Sequence, residues 1–384
     1  MPSPPDLAPA DPAPPGPARP APAPGGAGSA PASLEELGGW RAVLGTLTAR
    51  RDLDRAEAAA AMTDILEGAA TPAQIAAFCV ALRMKGETVE EMTGMLGAML
   101  ARCEPVVLPP DADVVDTCGT GGDRSHSINV STVSALVVAG AGAKVCKHGN
   151  RAASSACGSA DVLEALGVAV DLGPGGVAAC VEQVGIGFCL APRFHPALRH
   201  AGPTRRELGV PTVFNFLGPL ANPARARRQA LGVSDPRMAE KMVGVLAANG
   251  AERALVFYGH DGLDELSTTT TSTVFELRDG AVRTYDVDPA ALGIAPAEPQ
   301  ALRGADAATN AALARSVLDG RLGAHRDFVL LNAAAGLVAA GLADDLAEGL
   351  VRAAAAVDEG RAAAALEGLV GASREQAAAV ADGG

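Results

Sequence analysis

The sequence predicts an α/β protein: a small N-terminal helical domain, then a larger α/β domain with a mostly parallel central sheet. Three observations carry that expectation. Residues 33 to about 102 read as helices with repeated start signals. From residue 114 onward, short β-branched runs alternate with helical stretches, the pattern of a parallel sheet. Between the first such run and the first long apolar helix lies Val115-Asp116-Thr117-Cys118-Gly119-Thr120-Gly121-Gly122-Asp123, the grammar of a strand, a tight loop and a helix N-terminus. Loops of this kind let backbone approach a ligand, and the helix end behind them favours an anion. The same residues also serve as a plain strand-to-helix turn, so the loop alone leaves both readings open.

Composition bounds the function. A chain of 384 residues can bury a large core, and its net charge of −13 argues against a protein that coats nucleic acid. No run of 18 apolar residues appears, so no membrane span is expected and the location predicted is cytoplasmic. Seven cysteines without a C-x-x-C pair fit reduced thiols better than disulfides or a zinc site.

Residues 1–32, almost wholly Pro, Ala, Gly and Ser, predict a disordered tail that is neither secretory signal nor transit peptide. The helical domain is expected over 33–104. Asp54 with Glu57, Thr71 with Gln74 and Thr88 with Glu91 have capping-box spacing, and four helices are implied. Their apolar residues (Ile65, Leu66, Ile75, Phe78, Leu82, Met92, Met95, Leu96, Met99) exceed what so short a bundle can cover, so some should face another domain or another chain, and as a group they suggest a subunit contact. Pro105, Pro109 and Pro110 lead into the α/β domain, 105–384. Strands are expected at 114–115, 144–146, 168–171, 186–190, 230–233 and 255–258, a hairpin at 272–287 turning at Asp279-Gly280, and Ala-rich helices from Asp306 onward.

Three further features bear chemistry. Lys144 and Lys147, two of only four lysines, end the second strand run ahead of His148-Gly149-Asn150-Arg151, with Ser154, Ser155 and Ser159 beyond. A lysine there can act as a point charge for phosphate and the hydroxyls as donors, although Ser154 and Ser155 read equally as helix caps. Adjacent Asp264 and Glu265 follow the strand at 255–258, where paired carboxylates suit Mg²⁺. Seven arginines (193, 199, 205, 206, 225, 227, 228) face a single acid, Glu207, between 193 and 228, pointing to an anionic ligand or an acidic neighbour.

In order along the chain, these segments, together with Arg205-Arg206-Glu207-Leu208-Gly209 and the run Asn215-Phe216-Leu217-Gly218-Pro219-Leu220-Ala221-Asn222-Pro223, resemble the anthranilate phosphoribosyltransferase family of tryptophan biosynthesis. The resemblance covers everything but the tail. It implies that helices within about 194–222 complete the helical domain, which forms a homodimer, and that Mg²⁺ is the cofactor. It further implies that Gly119, Gly122, Asp123, Ser127, Asn129, Val130, Ser131 and Thr132 hold phosphoribosyl diphosphate, with Lys147, His148, Gly149, Asn150, Arg151, Ala152, Ala153, Ser154, Ser155 and Ser159. Ser131, Asp264 and Glu265 would ligate Mg²⁺. Gly119, Asn150 and Arg205 would contact anthranilate, with His148 and His195 near its path, and no general acid or base is assigned. Ala156 stands where many members carry lysine, and His126 and Ser127 where threonine and phenylalanine are common. The alternatives are a pyrimidine nucleoside phosphorylase and a non-catalytic nucleic-acid-binding relative.

Overall fold

The computed structural model describes residues 33–110, 112–152 and 156–382; the predicted tail at 1–32 and Ala153, Ser154 and Ser155 lie outside the described residues. Four helices open it: α1 (Gly39–Thr48), α2 (Arg55–Leu66), α3 (Pro72–Lys85) and α4 (Val89–Ala101). Asp54, Thr71 and Thr88 cap α2, α3 and α4, each in a reciprocal box with the predicted Glu or Gln three residues on. Two N-H groups that the helix leaves without partners are satisfied each time.

A seven-stranded sheet follows, comprising β1 (Val114–Gly119), β2 (Lys144–Gly149), β3 (Ile186–Leu190), β4 (Arg228–Gly232), β5 (Arg253–Gly259), β6 (Ser272–Arg278) and β7 (Ala281–Val287). Its order is β3-β2-β1-β4-β5-β6-β7. The first five strands run parallel, and the β6–β7 hairpin adds antiparallel to β5. The order reverses direction between β1 and β4, and a parallel sheet opens its ligand crevice beyond the carboxyl ends of the strands at such a point. The glycine loop leaves β1 there.

The remaining helices are α5 (Val130–Gly140), α6 (Ser159–Leu166), α7 (Pro174–Val184), α8 (Ala191–Phe194), α9 (Gly202–Leu208), α10 (Val213–Leu220), α11 (Pro236–Ala248), α12 (Ala307–Leu318), α13 (Ala324–Ala340), α14 (Leu346–Asp358) and α15 (Arg361–Asp382). One face of the sheet (Val115, Ala230, Leu255, Phe257) packs against α5 and α13. The other (Cys118, Leu231, Val256, Leu277) joins a second core built from α1–α4, α10 and α11.

Two expectations need correction. Val168–Asp171 is not a strand: Val168 and Val170 are buried, but the Ala169 N-H donates to Ser373 Oγ (3.0 Å) instead of to a neighbouring strand. Burial alone produced the β-like pattern. The apolar residues assigned to a subunit contact, from Ile65 to Met99, are all buried within this chain. Val213, Phe214, Leu217, Met238 and Met242 of α10 and α11 cover that surface; the large apolar side chains α3 does leave exposed are Val80 and Met84.

Candidate active site

The glycine loop joins β1 to α5 with Gly121 and Gly122 at φ 65° and 84°. Arg124 (59°) and His126 (55°) share the left-handed region without being glycine, a conformation that costs a side-chain-bearing residue energy and concentrates at functional loops. Side chains far away in sequence hold the loop. Ser234, just beyond β4, donates its hydroxyl to Gly121 O (2.7 Å) and its N-H to Thr120 Oγ1 (3.0 Å). Ser127 pairs with Arg303 in an isolated antiparallel bridge, and the Ile128 N-H donates to Leu302 O. Within the loop, Asp123 Oδ1 accepts from the Ser125 N-H (3.1 Å).

Asp264 reaches this loop from beyond β5. Its Oδ2 accepts the Gly121 N-H at 2.6 Å. Gly119 and Gly232 are register partners at the ends of β1 and β4. A Cβ on Gly119 would run into the Asp264 carboxylate, and one on Gly232 into its carbonyl. So the absent side chain at Gly119 makes room for an acid. Burial, with the negative charge of Asp123 beside it, pushes the Asp264 carboxyl up to about 7. Burial and then Asp264 push Glu265 well above the usual carboxylate range, against the opposing pull of Lys147 and the Ser131 N-H. Two carboxyls short of positive charge thus flank the start of α5.

Neighbours on a strand point to opposite faces, which divides Lys147 from His148. Lys147 is buried on the α5 face, its Nζ donating to Thr117 O and to Ser131 Oγ (3.3 Å). Burial lowers its pKa, and Asp116 acts most strongly in the other direction. Asp116 is itself fully buried. It accepts from the His148 N-H (3.1 Å) and from Asn222 Nδ2 (2.8 Å), which also donates to Cys146 O (2.8 Å). Gln229 donates to Pro219 O (2.7 Å) from the adjoining strand. Asn222, in the run quoted from the sequence, therefore fastens the α10 segment to the sheet.

On the opposite face His148 lies beside His195, ring centroids 5.2 Å apart. His195 Nε2 bonds Ala221 O (2.8 Å), whereas His148 Nε2 is buried without a partner among the described residues. Burial holds His148 down to about 3 and lowers His195 as well, so both imidazoles are neutral near pH 7. Arg205 on α9 stacks over Phe214 of α10, 5.1 Å from the ring centroid. Burial lowers its pKa, and no carboxylate among the described residues pairs with it. Other members of the arginine run are engaged: Arg193 with Glu104, Arg227 with Glu252, Arg228 with Asp113 and Glu252.

The loop after β2 is tied down internally. Ser159 Oγ donates to Asn150 O and accepts the Asn150 N-H, both at 3.0 Å. Asp161 Oδ2 accepts from the N-H groups of Ala152 (2.9 Å) and Gly158 (2.8 Å). Arg151 forks onto Glu164 (2.5 and 2.7 Å). Gly149 is close-packed, since a Cβ there would meet Ser159 Oγ and the Phe188 ring. Asn129 caps no N-H; its Nδ2 donates to Cys157 O (3.0 Å) and its Oδ1 accepts from Asn310 (2.9 Å). Val130 and Thr132 are buried in the first turn of α5, the Thr132 hydroxyl without a partner among the described residues.

The helical bundle domain of a glycosyl transferase family matches residues 41–103, and its a/b domain matches 111–363. An anthranilate phosphoribosyltransferase from Acidothermus cellulolyticus is 58% identical over 341 residues, covering 87% of this chain and 95% of that protein. The chain belongs to the anthranilate phosphoribosyltransferase family. The Rhodococcus jostii member is 56% identical over 333 residues, covering 85% and 91%. Among solved structures, the anthranilate phosphoribosyltransferase of Thermus thermophilus superposes with a TM-score of 0.82 at 41% identity, over 86% of this chain and 99% of that one. The Saccharomyces cerevisiae enzyme in complex with PRPP and Mg gives a TM-score of 0.80 at 26% identity, over 88% and 98%.

In this family member the structure gathers Gly119, Gly121, Asp123, Ser131, Lys147, Asp264 and Glu265 near the carboxyl ends of β1, β2 and β5, and His148 and His195 lie on the opposite face of the sheet. Sequence reading missed Asp116, Phe214 and Ser234. Asp116 was visible as a lone acid inside an apolar strand run. Ser234 carried no local signal, because its partner lies 113 residues away.

Proposed function

We infer that this chain transfers the 5-phosphoribosyl group of 5-phosphoribosyl 1-diphosphate to the amine of anthranilate, giving N-(5-phosphoribosyl)anthranilate and pyrophosphate, in tryptophan biosynthesis. The observation that carries the residue-level account is the pair of charge-deficient carboxyls, Asp264 and Glu265, set against the glycine loop and the N-terminus of α5. Hard oxygen donors whose negative charge lacks a counter-ion fit Mg²⁺. Among the described residues no three His, Cys, Asp or Glu side chains form a complete ligand set, so Asp264, Glu265 and Ser131 would share the ion with diphosphate oxygens and water. When bound, Mg²⁺ supplies neutralisation of the leaving pyrophosphate.

The chain's own groups do the rest. Loop N-H groups at 121–123 and the first turn of α5 present donors to phosphate oxygens. Gly119, Gly122, Asp123, Ser127 and Asn129 to Thr132 form one wall of the sugar diphosphate site, and Lys147 to Ala152 with Ser159 form the other. Lys147 acts from beneath, through Ser131 and its charge. Arg205, which no carboxylate among the described residues pairs and which lies over the Phe214 ring, suits the anthranilate carboxylate, which its planar fork can bind with two parallel bonds. Asn150 would meet the ring's polar edge. His148 and His195, kept neutral, position the aromatic amine and take no proton. None need be taken before attack, since the amine is already a neutral nucleophile and sheds its proton readily once bonded to C1.

We assign a helical domain at 33–104, completed by the helices of 194–222, and a homodimer through it. Val80 and Met84, exposed on α3, support that surface. No helix among the described residues is long and apolar enough to cross a membrane, and a cytoplasmic location fits a biosynthetic enzyme. The phosphorylase alternative is disfavoured by the acid pair and by Arg205. Dispersal of the arginines into ion pairs disfavours a nucleic-acid stripe.

The test follows anthranilate fluorescence with phosphoribosyl diphosphate and Mg²⁺ present together or singly. Consumption with stoichiometric pyrophosphate only when both are present is expected. Absence of turnover alongside phosphate-dependent cleavage of thymidine or uridine would overturn the reading.

A further inference from the structure

Asn332 lies mid-way along α13, buried, with its amide turned out of the helix toward the chain that follows β5. Its Oδ1 accepts the Leu266 N-H at 2.8 Å, and its Nδ2 donates to Leu266 O and to Phe328 O, both at 3.0 Å. One side chain thus engages both backbone polar groups of a single residue, as a neighbouring strand would. That residue directly follows Asp264 and Glu265. The connection needs such help because no strand pairs with it. The Gly259 N-H donates to Leu263 O and the Ser267 N-H to Ser272 Oγ, both ties within the β5–β6 connection. Asn332 ties the acid pair to a helix outside it.

That helix is also the floor beneath Ser131. Ser134, one turn along α5 from Ser131, donates to Val329 O of α13 (3.1 Å). A Cβ on Gly336, one turn beyond Asn332, would press on Val138 of α5 and Thr117 of β1. α13 therefore touches all three elements that bring the oxygen ligands together: α5, β1 and the segment after β5. Two grips on Leu266 restrict the peptide that joins it to Glu265, and so the direction in which the Glu265 and Asp264 side chains leave the backbone.

We propose that Asn332 is a positioning residue for metal-diphosphate binding, holding the Asp264–Glu265 backbone in register with Ser131 through its two hydrogen bonds to Leu266. It touches neither substrate nor ion. The proposal rests on the assignment of Asp264 and Glu265 as metal ligands, and partners of this outer kind change metal affinity by roughly 10–100-fold when removed.

The experiment compares the wild-type chain with Asn332→Ala, Asn332→Ser, Ser134→Ala and the double variant Asp264→Asn/Glu265→Gln. Asn332→Ser is the safeguard should the alanine variant fold poorly, since a serine there can bond Phe328 O one turn back yet cannot span to Leu266. Ser134→Ala breaks an equally buried bond to the same helix away from the acid pair. Mn²⁺ binding is read by electron paramagnetic resonance with phosphoribosyl diphosphate present, and melting is read without ligands. Both Asn332 variants are expected to weaken Mn²⁺ binding about tenfold or more and to raise the Michaelis constant for phosphoribosyl diphosphate while leaving that for anthranilate within about twofold. Ser134→Ala should lower the melting temperature with Mn²⁺ binding unchanged. Wild-type Mn²⁺ affinity in a folded Asn332 variant, or an equal loss in Ser134→Ala, would overturn the positioning role. Unchanged Mn²⁺ binding in the double variant would instead overturn the metal assignment on which it rests.

Discussion

The Gly121 N-H and Asp264 Oδ2 lie 2.6 Å apart, joining the loop after β1 to the acid after β5 across 143 residues. The contact exists because Gly119 and Gly232 carry no side chains where Asp264 comes in. Gly119→Ala is therefore expected to displace the carboxylate more than it disturbs the strand. Turnover should fall at least tenfold with the Michaelis constant for phosphoribosyl diphosphate raised, by analogy with other displaced metal supports, while circular dichroism stays native. Wild-type kinetics for Gly119→Ala would mean that Asp264 does not act from this position.

Asp264 also makes stability depend on pH. Its carboxyl rises from 3.8 to about 7 on folding, so the folded chain binds the extra proton and is favoured at low pH. That stabilisation is fully present below the ordinary value and is lost as pH rises toward about 7. His148, held down to about 3, works in the opposite direction below pH 6.5. Subtraction isolates the acid: the stability difference between Asp264→Asn and wild type, from urea melts of ligand-free protein, should grow in the variant's favour from pH 5 to pH 8. A difference flat with pH would show an unshifted carboxyl.

Arg205 has an aromatic ring beneath it and, among the described residues, no acid paired with it. Arg205→Ala should raise the Michaelis constant for anthranilate by about 10–100-fold, the worth of charged hydrogen bonds, and change that for phosphoribosyl diphosphate little. Arg205→Lys should restore only part, since lysine lacks the fork. Equal effects on both substrates would remove Arg205 from the anthranilate site.

Asn222 bonds Asp116 and Cys146 O through Nδ2 and accepts the Ala224 N-H (2.8 Å) through Oδ1. Asn222→Ala takes the nearer of two donors from a buried carboxylate oxygen, leaving Gln229 Nε2 at 3.5 Å, and one donor from a carbonyl, and is expected to cost about 2–3 kcal/mol. Denaturant midpoints measure it. A loss under about 0.5 kcal/mol, the scale of a surface substitution, would mean that water replaces the amide without penalty.

Removing the divalent ion gives a further check. Asp264→Asn/Glu265→Gln should abolish turnover, with added Mg²⁺ restoring it only in part, whereas chelated wild type should recover fully when Mg²⁺ is returned. Near-normal activity of the double variant would exclude these two carboxylates as ligands.

By itself the sequence determined what depends on local chemistry. Asp54, Thr71 and Thr88 announced their helices because a cap and its partner are three residues apart, and β-branched runs marked all seven strands because each is buried along its length or paired in a hairpin. The glycine loop and the acid pair were legible as chemistry, and their ordered company carried the family resemblance. Local pattern failed where tertiary burial imitated it, as at Val168 and Val170, and where long-range packing consumed a surplus, as when α10 and α11 covered Ile65 to Met99. Only the fold decided that Gly119 faces Asp264, that Lys147 is spent beneath Ser131, and that Arg205 alone of its neighbours rests on Phe214. Strand order, which no local pattern encodes, placed β1 beside β4 and β4 beside β5. That adjacency brings the loop after β1 and the two acids after β5, far apart along the chain, together at the carboxyl ends of the strands.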